Sequence, residues 1–372
     1  MALLAHQLIS YVLPGQPYGR GSLGDYSSGT IPTFIRLSCS GTSGSTTLTV
    51  STTTFTNGDL IKIIQTRGTG VGQWEIALVA SGGGSTSLTL SKNLVYTYTD
   101  SGSSQAQAIK INEYTNATLD TGTWTVPTWD QNVGGSFIIA ARTFTGVGTL
   151  TAASAGFRGG DALDGAPGYR GEGNTADKNV VSVNGDVNAG GGGENGGGGS
   201  GASGNGSGGN GAVNDGGASA STDPTAGSNS NANTINLGGG GGGSTAGDPN
   251  ARRAGGLGGG TIAIFASTIN LSGQITVAGA QGGVPASGNR GGGSGGAGHI
   301  LIVGQTVAIG TDLLRAVGGA AAASQNKAGA KGLITVYYGS QLTGSTSSSY
   351  YGAALTEQDQ RLKLPIRRGM LI

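Results

Sequence analysis

Residues 135–155 read GSFIIAARTFTGVGTLTAASA, and residues 260–280 read GTIAIFASTINLSGQITVAGA. The two align without a gap at a constant offset of 125 residues (260 − 135), with Thr143 against Thr268, Gly148 against Gly273, Thr151 against Thr276 and Ala155 against Ala280. A third copy, GHILIVGQTVAIGTDLLRAVGG at residues 298–319, matches over its first half and then needs about one residue of slippage. LITVYY at residues 333–338 follows as a lone strand. Each unit reads as strand, tight turn, strand and Gly-rich departure. Such units bury their apolar face by stacking on their neighbours, which predicts a stack of strand repeats.

Outward from the repeats lie the glycine runs. Residues 188–211 hold 14 Gly in 24 positions, and further runs fall at 238–243, 255–260 and 291–298. These runs read either as flexible linker or as ordered scaffold. If the repeats stack, the runs leave a common base and return to it, and the excursion of about a hundred residues between the first two units is too long for a structureless loop in a compact domain. The expectation is therefore an ordered lattice of polyglycine II helices, three residues per turn and about 3.1 Å per residue, whose outward N–H and C=O groups bond to neighbouring helices. Gly190, Gly191, Gly192, Gly193, Gly238, Gly239, Gly240, Gly241, Gly242 and Gly243 are its expected scaffold.

Upstream, residues 37–130 have a β texture: short Thr-, Val- and Ile-rich segments punctuated by Asn57-Gly58, by glycines at 68–72 and 82–84, and by Ser101-Gly102. They predict an antiparallel β-domain, with an imperfect alternation at residues 60–64. Residues 1–36 read as an irregular attachment arm, 131–339 as the repeat domain, and 340–372 as a Gly/Ser/Thr linker with a charged docking tail. The fold class is all-β, with almost no α-helix. The single cysteine, Cys39, rules out an intrachain disulfide and reads as a small apolar strand residue. The opening MALLAHQLISYVLPGQ lacks a basic n-region and a cleavage site, so no Sec signal is expected.

Of 372 residues, 78 are Gly, only 10% are charged, and the formal net charge is +1, which argues against a nucleic-acid partner. No stretch has the length of a membrane span. The only histidines are His6 and His299, and His299 takes the repeat slot of Ser136 and Thr261, read as an exposed strand position. No nucleophile–base arrangement, phosphate loop or calcium nonapeptide emerges, so neither a catalytic residue, a metal site nor a cofactor is expected. Asp161, Asp164, Glu172 and Asp177 lie in a Gly-rich segment ill suited to holding a general acid. The non-Gly insertions are more informative: Tyr169, Arg170 and Glu172; Asp248, Asn250, Arg252 and Arg253; Asn289 and Arg290. On a rigid stack they become its tips, where such side chains suit recognition of glycans or protein loops. The alternative is that they are solvated turns.

The β-region, the strand units and the glycine runs together, with GFRGG at 156–160, the repeat at 259–280 and GGGSGGAGHILIVG at 291–304, resemble the polyglycine-rich receptor-binding proteins at the tail-fibre tips of tailed bacteriophages. Similar Gly- and Thr-rich proteins occur in uncultivated bacteria as predicted surface adhesins. The phage resemblance implies a layered polyglycine II sandwich whose distal loops contact the host receptor. It implies a non-enzymatic virion fibre or tail-tip protein, made in the host cytoplasm and released by lysis. Its partners would be other fibre subunits, as a homo-oligomer such as a trimer, and a host surface glycan or outer-membrane protein. The alternatives are a structural subunit of an extracellular filament, a virion decoration protein and, third, an ice-binding face.

Overall fold

A computed structural model describes residues 20–162, 169–174, 177, 237–244, 253–284, 291–322, 328–351 and 353–358, the last six by backbone only. The chain is all-β, as the sequence predicts. The first strands in order are β1 (Asp25–Ser28), β2 (Arg36–Ser40), β3 (Thr47–Val50), β4 (Leu60–Arg67), β5 (Trp74–Ser81), β6 (Ser87–Leu90) and β7 (Gln105–Lys110). They continue with β8 (Asn112–Leu119), β9 (Thr123–Thr125), β10 (Ser136–Gly146), β11 (Thr149–Thr151), β12 (Thr261–Leu271) and β13 (Ile275–Thr276). The last are β14 (His299–Thr311), β15 (Leu314–Arg315), β16 (Leu333–Ser345) and β17 (Ala353–Gln358).

Strands β2 to β7 close an antiparallel barrel in the order β2-β3-β6-β5-β4-β7. Period-two alternation fills its interior, with Leu48, Val50, Ile61, Ile63, Leu88 and Leu90 pointing in. Cys39 packs there too, and burial pushes its thiol pKa up. The imperfect alternation at residues 60–64 has a simple cause. Ile61 and Ile63 face the barrel interior, while Leu60 and Ile64 join the cluster that includes the repeat strands, so β4 is buried on both faces.

The repeats stack as expected. A seven-stranded sheet runs β1-β8-β10-β12-β14-β16-β17 with every pairing parallel. Ser136 lies opposite Thr261 and Thr143 opposite Thr268, so the 125-residue offset of the sequence is the register of the β10–β12 pair. The second legs form a parallel four-stranded sheet, β15-β13-β11-β9. The slip in the third copy is one residue: Asn270 pairs Ala308 but Ile275 pairs Leu314. The first six residues of β10, β12 and β14 are wholly buried, the near-continuous apolar run of a parallel strand covered on both faces.

The stack recruits more chain than the sequence boundaries allow. Residues 112–125, assigned above to the antiparallel domain, supply β8 and β9 to the two parallel sheets, so the barrel ends at Lys110 and the boundary expected at residue 130 is misplaced. The arm expected over residues 1–36 includes β1, which pairs with β8, and Arg20, whose guanidinium is ion-paired with Glu113. In the region read as linker and tail, β16 extends to Ser345 and β17 pairs with it. The common reason is that a stack offers an open edge to any extended neighbour, and pairing removes unsatisfied backbone groups.

Candidate binding surface

The glycine segments next to the strands run outside both sheets but are tied to one another. Gly238, Gly241 and Ser244 donate their N–H groups to the carbonyls of Gly259 (2.7 Å), Gly256 (2.9 Å) and Arg253 (2.8 Å). Gly256 and Gly259 donate to Gly293 and Gly296, both at 2.8 Å, and these two donate to Gly242 (2.8 Å) and Gly239 (3.0 Å), closing a ring of three segments. A second face of the 291–298 segment bonds Gly292, Gly295 and Gly298 to the carbonyls of Gly283, Ala280 and Val277 at 2.9–3.0 Å. Every series steps by three residues, the turn of the threefold extended helix. Residues 237–244 and 291–298 are buried throughout, so this part of the interior is made of backbone.

Gly238, Gly239, Gly240, Gly241, Gly242 and Gly243 all lie in one of these bonded segments. A Cβ on Gly240 would overlap the Arg158 carbonyl oxygen, and one on Gly241 that of Gly293. Gly190, Gly191, Gly192 and Gly193, with the whole of residues 188–211, lie outside the described residues.

The described ends of these segments are also bonded to one another. Ser244 and Arg253 are joined directly, with the Arg253 N–H donating to Ser244 Oγ at 2.8 Å. Gly243 N–H donates to the Tyr169 carbonyl at 2.8 Å, and Arg253 Nε donates to the Val284 carbonyl at 2.6 Å. Three successive excursions therefore meet at Tyr169, Arg253 and Val284. Tyr169, Arg170 and Arg253 are half-buried, and Val284 is 55% exposed. Arg170 Nε is covered and without a hydrogen-bond partner among the described residues. Val284 is not among the side chains singled out from sequence, although it opens the non-Gly insertion VPASGNR at 284–290 that carries Asn289 and Arg290. Asp248, Asn250, Arg252, Asn289 and Arg290 lie outside the described residues.

Glu172 is a correction. It was read as a tip residue, yet its side chain is fully buried. Arg67 Nη1 from the barrel ion-pairs with its Oε1, Trp129 Nε1 donates to the same oxygen at 3.0 Å, and Arg158 Nε donates to Oε2 at 2.9 Å. Asp177 accepts from Arg158 Nη2 at 2.6 Å and lies 3.4 Å from Arg67 Nη1. Gly68 N–H also donates to the Asn174 carbonyl at 2.7 Å. Glu172, Asn174 and Asp177 form a clamp that fastens the lattice to the barrel. Nothing local announces it, because Arg67 is 105 residues away in sequence.

His299 is the second correction: it is fully buried, with Nε2 2.9 Å from Thr335 Oγ1. Its slot is polar, as the repeat implied, but enclosed. On the same register line Thr261 Oγ1 donates to Ser136 Oγ at 2.8 Å, and Lys62 Nζ donates to that oxygen at 3.1 Å. Lys62 was missed from sequence, where it looks like an ordinary solvated strand lysine. Burial lowers the pKa of its amine to about 7. Lys62, Ser136 and Thr261 are each at most 2% exposed, so the row joins barrel to stack and offers no opening to a substrate.

No protein-family model matches the chain, and no curated protein is found to match it.

Proposed function

We propose that the chain is a non-enzymatic phage virion fibre or tail-tip protein that binds the host cell surface through the turns of its glycine lattice. The observation that carries this reading is the convergence of three excursions at Tyr169, Arg253 and Val284. Recognition needs side chains held in place before the partner arrives, since ordering them afterwards costs affinity. A lattice bonded at every third residue supplies that rigidity, and an aromatic ring, a guanidinium and an exposed apolar side chain supply the contact chemistry. The partner is a host glycan or outer-membrane protein, and other fibre subunits are the second class of partner. Location in the virion follows from the same reading.

The test is flow cytometry of the fluorescently labelled protein on a panel of bacterial strains. Binding to a subset of strains is expected, with at least a tenfold loss in a Tyr169→Ala/Arg253→Ala variant of unchanged melting temperature. Staining of no strain, or unchanged staining by the folded variant, counts against the tip assignment. A filament or decoration subunit is the second reading, favoured by one observation: β1 and β17 stand at the two edges of the parallel sheet, each with one side unpaired by a strand of the described residues. Negative-stain images showing polymers grown from purified monomer would favour it.

A further inference from the structure

The outer face of the barrel carries a cleft of about 450 Å3, far from any glycine segment in sequence and walled by hydroxyl groups. Strand alternation makes one wall. In β3 the sequence Thr-Leu-Thr-Val turns Leu48 and Val50 into the barrel and leaves Thr47 and Thr49 outside. In β2 Cys39 points in and Ser40 out, and Ser40 pairs directly with Thr49. The opposite wall is the segment 97–101, which contributes Thr97, Thr99 and Asp100.

This second wall is built in. Gly41 N–H donates to the Tyr98 carbonyl at 3.0 Å and Tyr98 N–H to the Gly41 carbonyl at 2.8 Å. From behind, the buried Gln65 side chain accepts from Thr99 N–H at 2.9 Å and donates to the Thr99 carbonyl at 3.0 Å. Gly41 itself lines the cleft, and a Cβ there would come within 3.1 Å of the Thr47 carbonyl oxygen. Among the described residues, Asp100 is the only charged side chain of the lining. Burial raises its carboxyl pKa, while a hydrogen bond from the Ser38 hydroxyl opposes the rise.

We propose that this cleft binds a neutral saccharide ring. Hydroxyls both donate and accept, so rows of Ser and Thr match the vicinal hydroxyls of a sugar, and one carboxylate can accept two of them. A single anion with no cation among the described lining residues disfavours phosphate, sulfate and acidic sugars. The volume lies in the range of small-ligand sites. The one lining aromatic, Tyr98, is 2% exposed, so its ring offers no stacking face and hydrogen bonds carry the affinity. Among the described lining residues one carboxylate stands without a second, which favours binding over glycoside cleavage, a reaction that uses a pair. The assignment is independent of the lattice tips and of a phage origin.

The experiment is saturation-transfer NMR on the full chain with glucose, galactose, mannose and N-acetylglucosamine, and with glucose 6-phosphate and N-acetylneuraminic acid as charged comparators. At least one neutral sugar should titrate with millimolar Kd and the charged ones should not. Asp100→Asn and Thr49→Val conserve side-chain size, and each should raise Kd about tenfold at unchanged melting temperature; Arg253→Ala should leave it unaltered. A flat response to every neutral sugar overturns the proposal. So does a titration that survives both cleft substitutions, or one that Arg253→Ala abolishes.

Discussion

At the scale of single residues, two buried charges decide how the parts hold together. Lys62 has no exposure and no ion pair among the described residues, and its Nζ lies 5.5 Å above the Trp74 ring centre. Its amine pKa falls from 10.5 to about 7 because burial disfavours the charged form. In the unfolded chain the amine holds its proton up to about pH 10.5, while the folded protein releases it near pH 7, so between these values the unfolded state binds more protons. Stability from this group therefore rises with pH across that window, by about 1.4 kcal/mol per pH unit, and is at its lowest below pH 7. Lys62→Met should raise the urea midpoint at pH 7 and flatten its climb toward pH 10; a wild-type midpoint that stays level from pH 7 to 10 contradicts this account. Glu172 is the opposite case, a buried anion with partners. Glu172→Gln keeps the shape but leaves Arg67, 3% exposed, and Arg158 facing a neutral amide, at a cost of about 3 kcal/mol. Denaturant unfolding measures it, and Asp177→Asn, at a half-exposed partner, should cost much less.

Among the elements, the glycine segments make the sharpest prediction. Replacing Gly240 and Gly241 by Val puts Cβ atoms into the Arg158 and Gly293 carbonyls, so the melting temperature should fall by several degrees and amides of the 291–298 segment should lose exchange protection. An unchanged melting temperature would mean that the run bears no structural load. The strands were legible because Val, Ile and Thr alternate between turn residues, and the register of β10 on β12 was legible because the repeat conserves its own spacing. What stayed hidden depends on distant partners. The sequence of β8, NEYTNATL, carries the same texture as a barrel strand, and only the open edge of β10 makes it part of the stack. Tyr169 and Arg253 were legible as turns between glycine runs, but their meeting depends on how three excursions fold back. The hydroxyl cleft was invisible, since Thr and Ser on alternate strand positions are what any exposed β-face shows.

Across the whole molecule, barrel and stack share one core. Leu60, Ile64, Trp74 and Ile76 on the outside of the barrel belong to the same apolar cluster as Phe137, Ile264 and Ile302 of the stack. Calorimetry should therefore give a single transition for both, where two separated peaks would mean independent domains. The pairing of β10 with β12 has a further consequence, in the order of assembly. Asn116 and Thr143 pair across 27 residues (143 − 116), and His299 and Leu333 across 34 (333 − 299), so the stack on either side of the β10–β12 seam closes through shorter loops. The seam between β10 and β12 spans 125 residues and closes last. At a synthesis rate of about 5–20 residues per second, the nascent chain shows an unpaired β10 edge for roughly 6–25 s before its partner emerges. That interval is long enough for two chains on neighbouring ribosomes to exchange strands. A chain stopped before Thr261 keeps the edge open permanently, and should be recovered as swapped oligomers or aggregate instead of monomer.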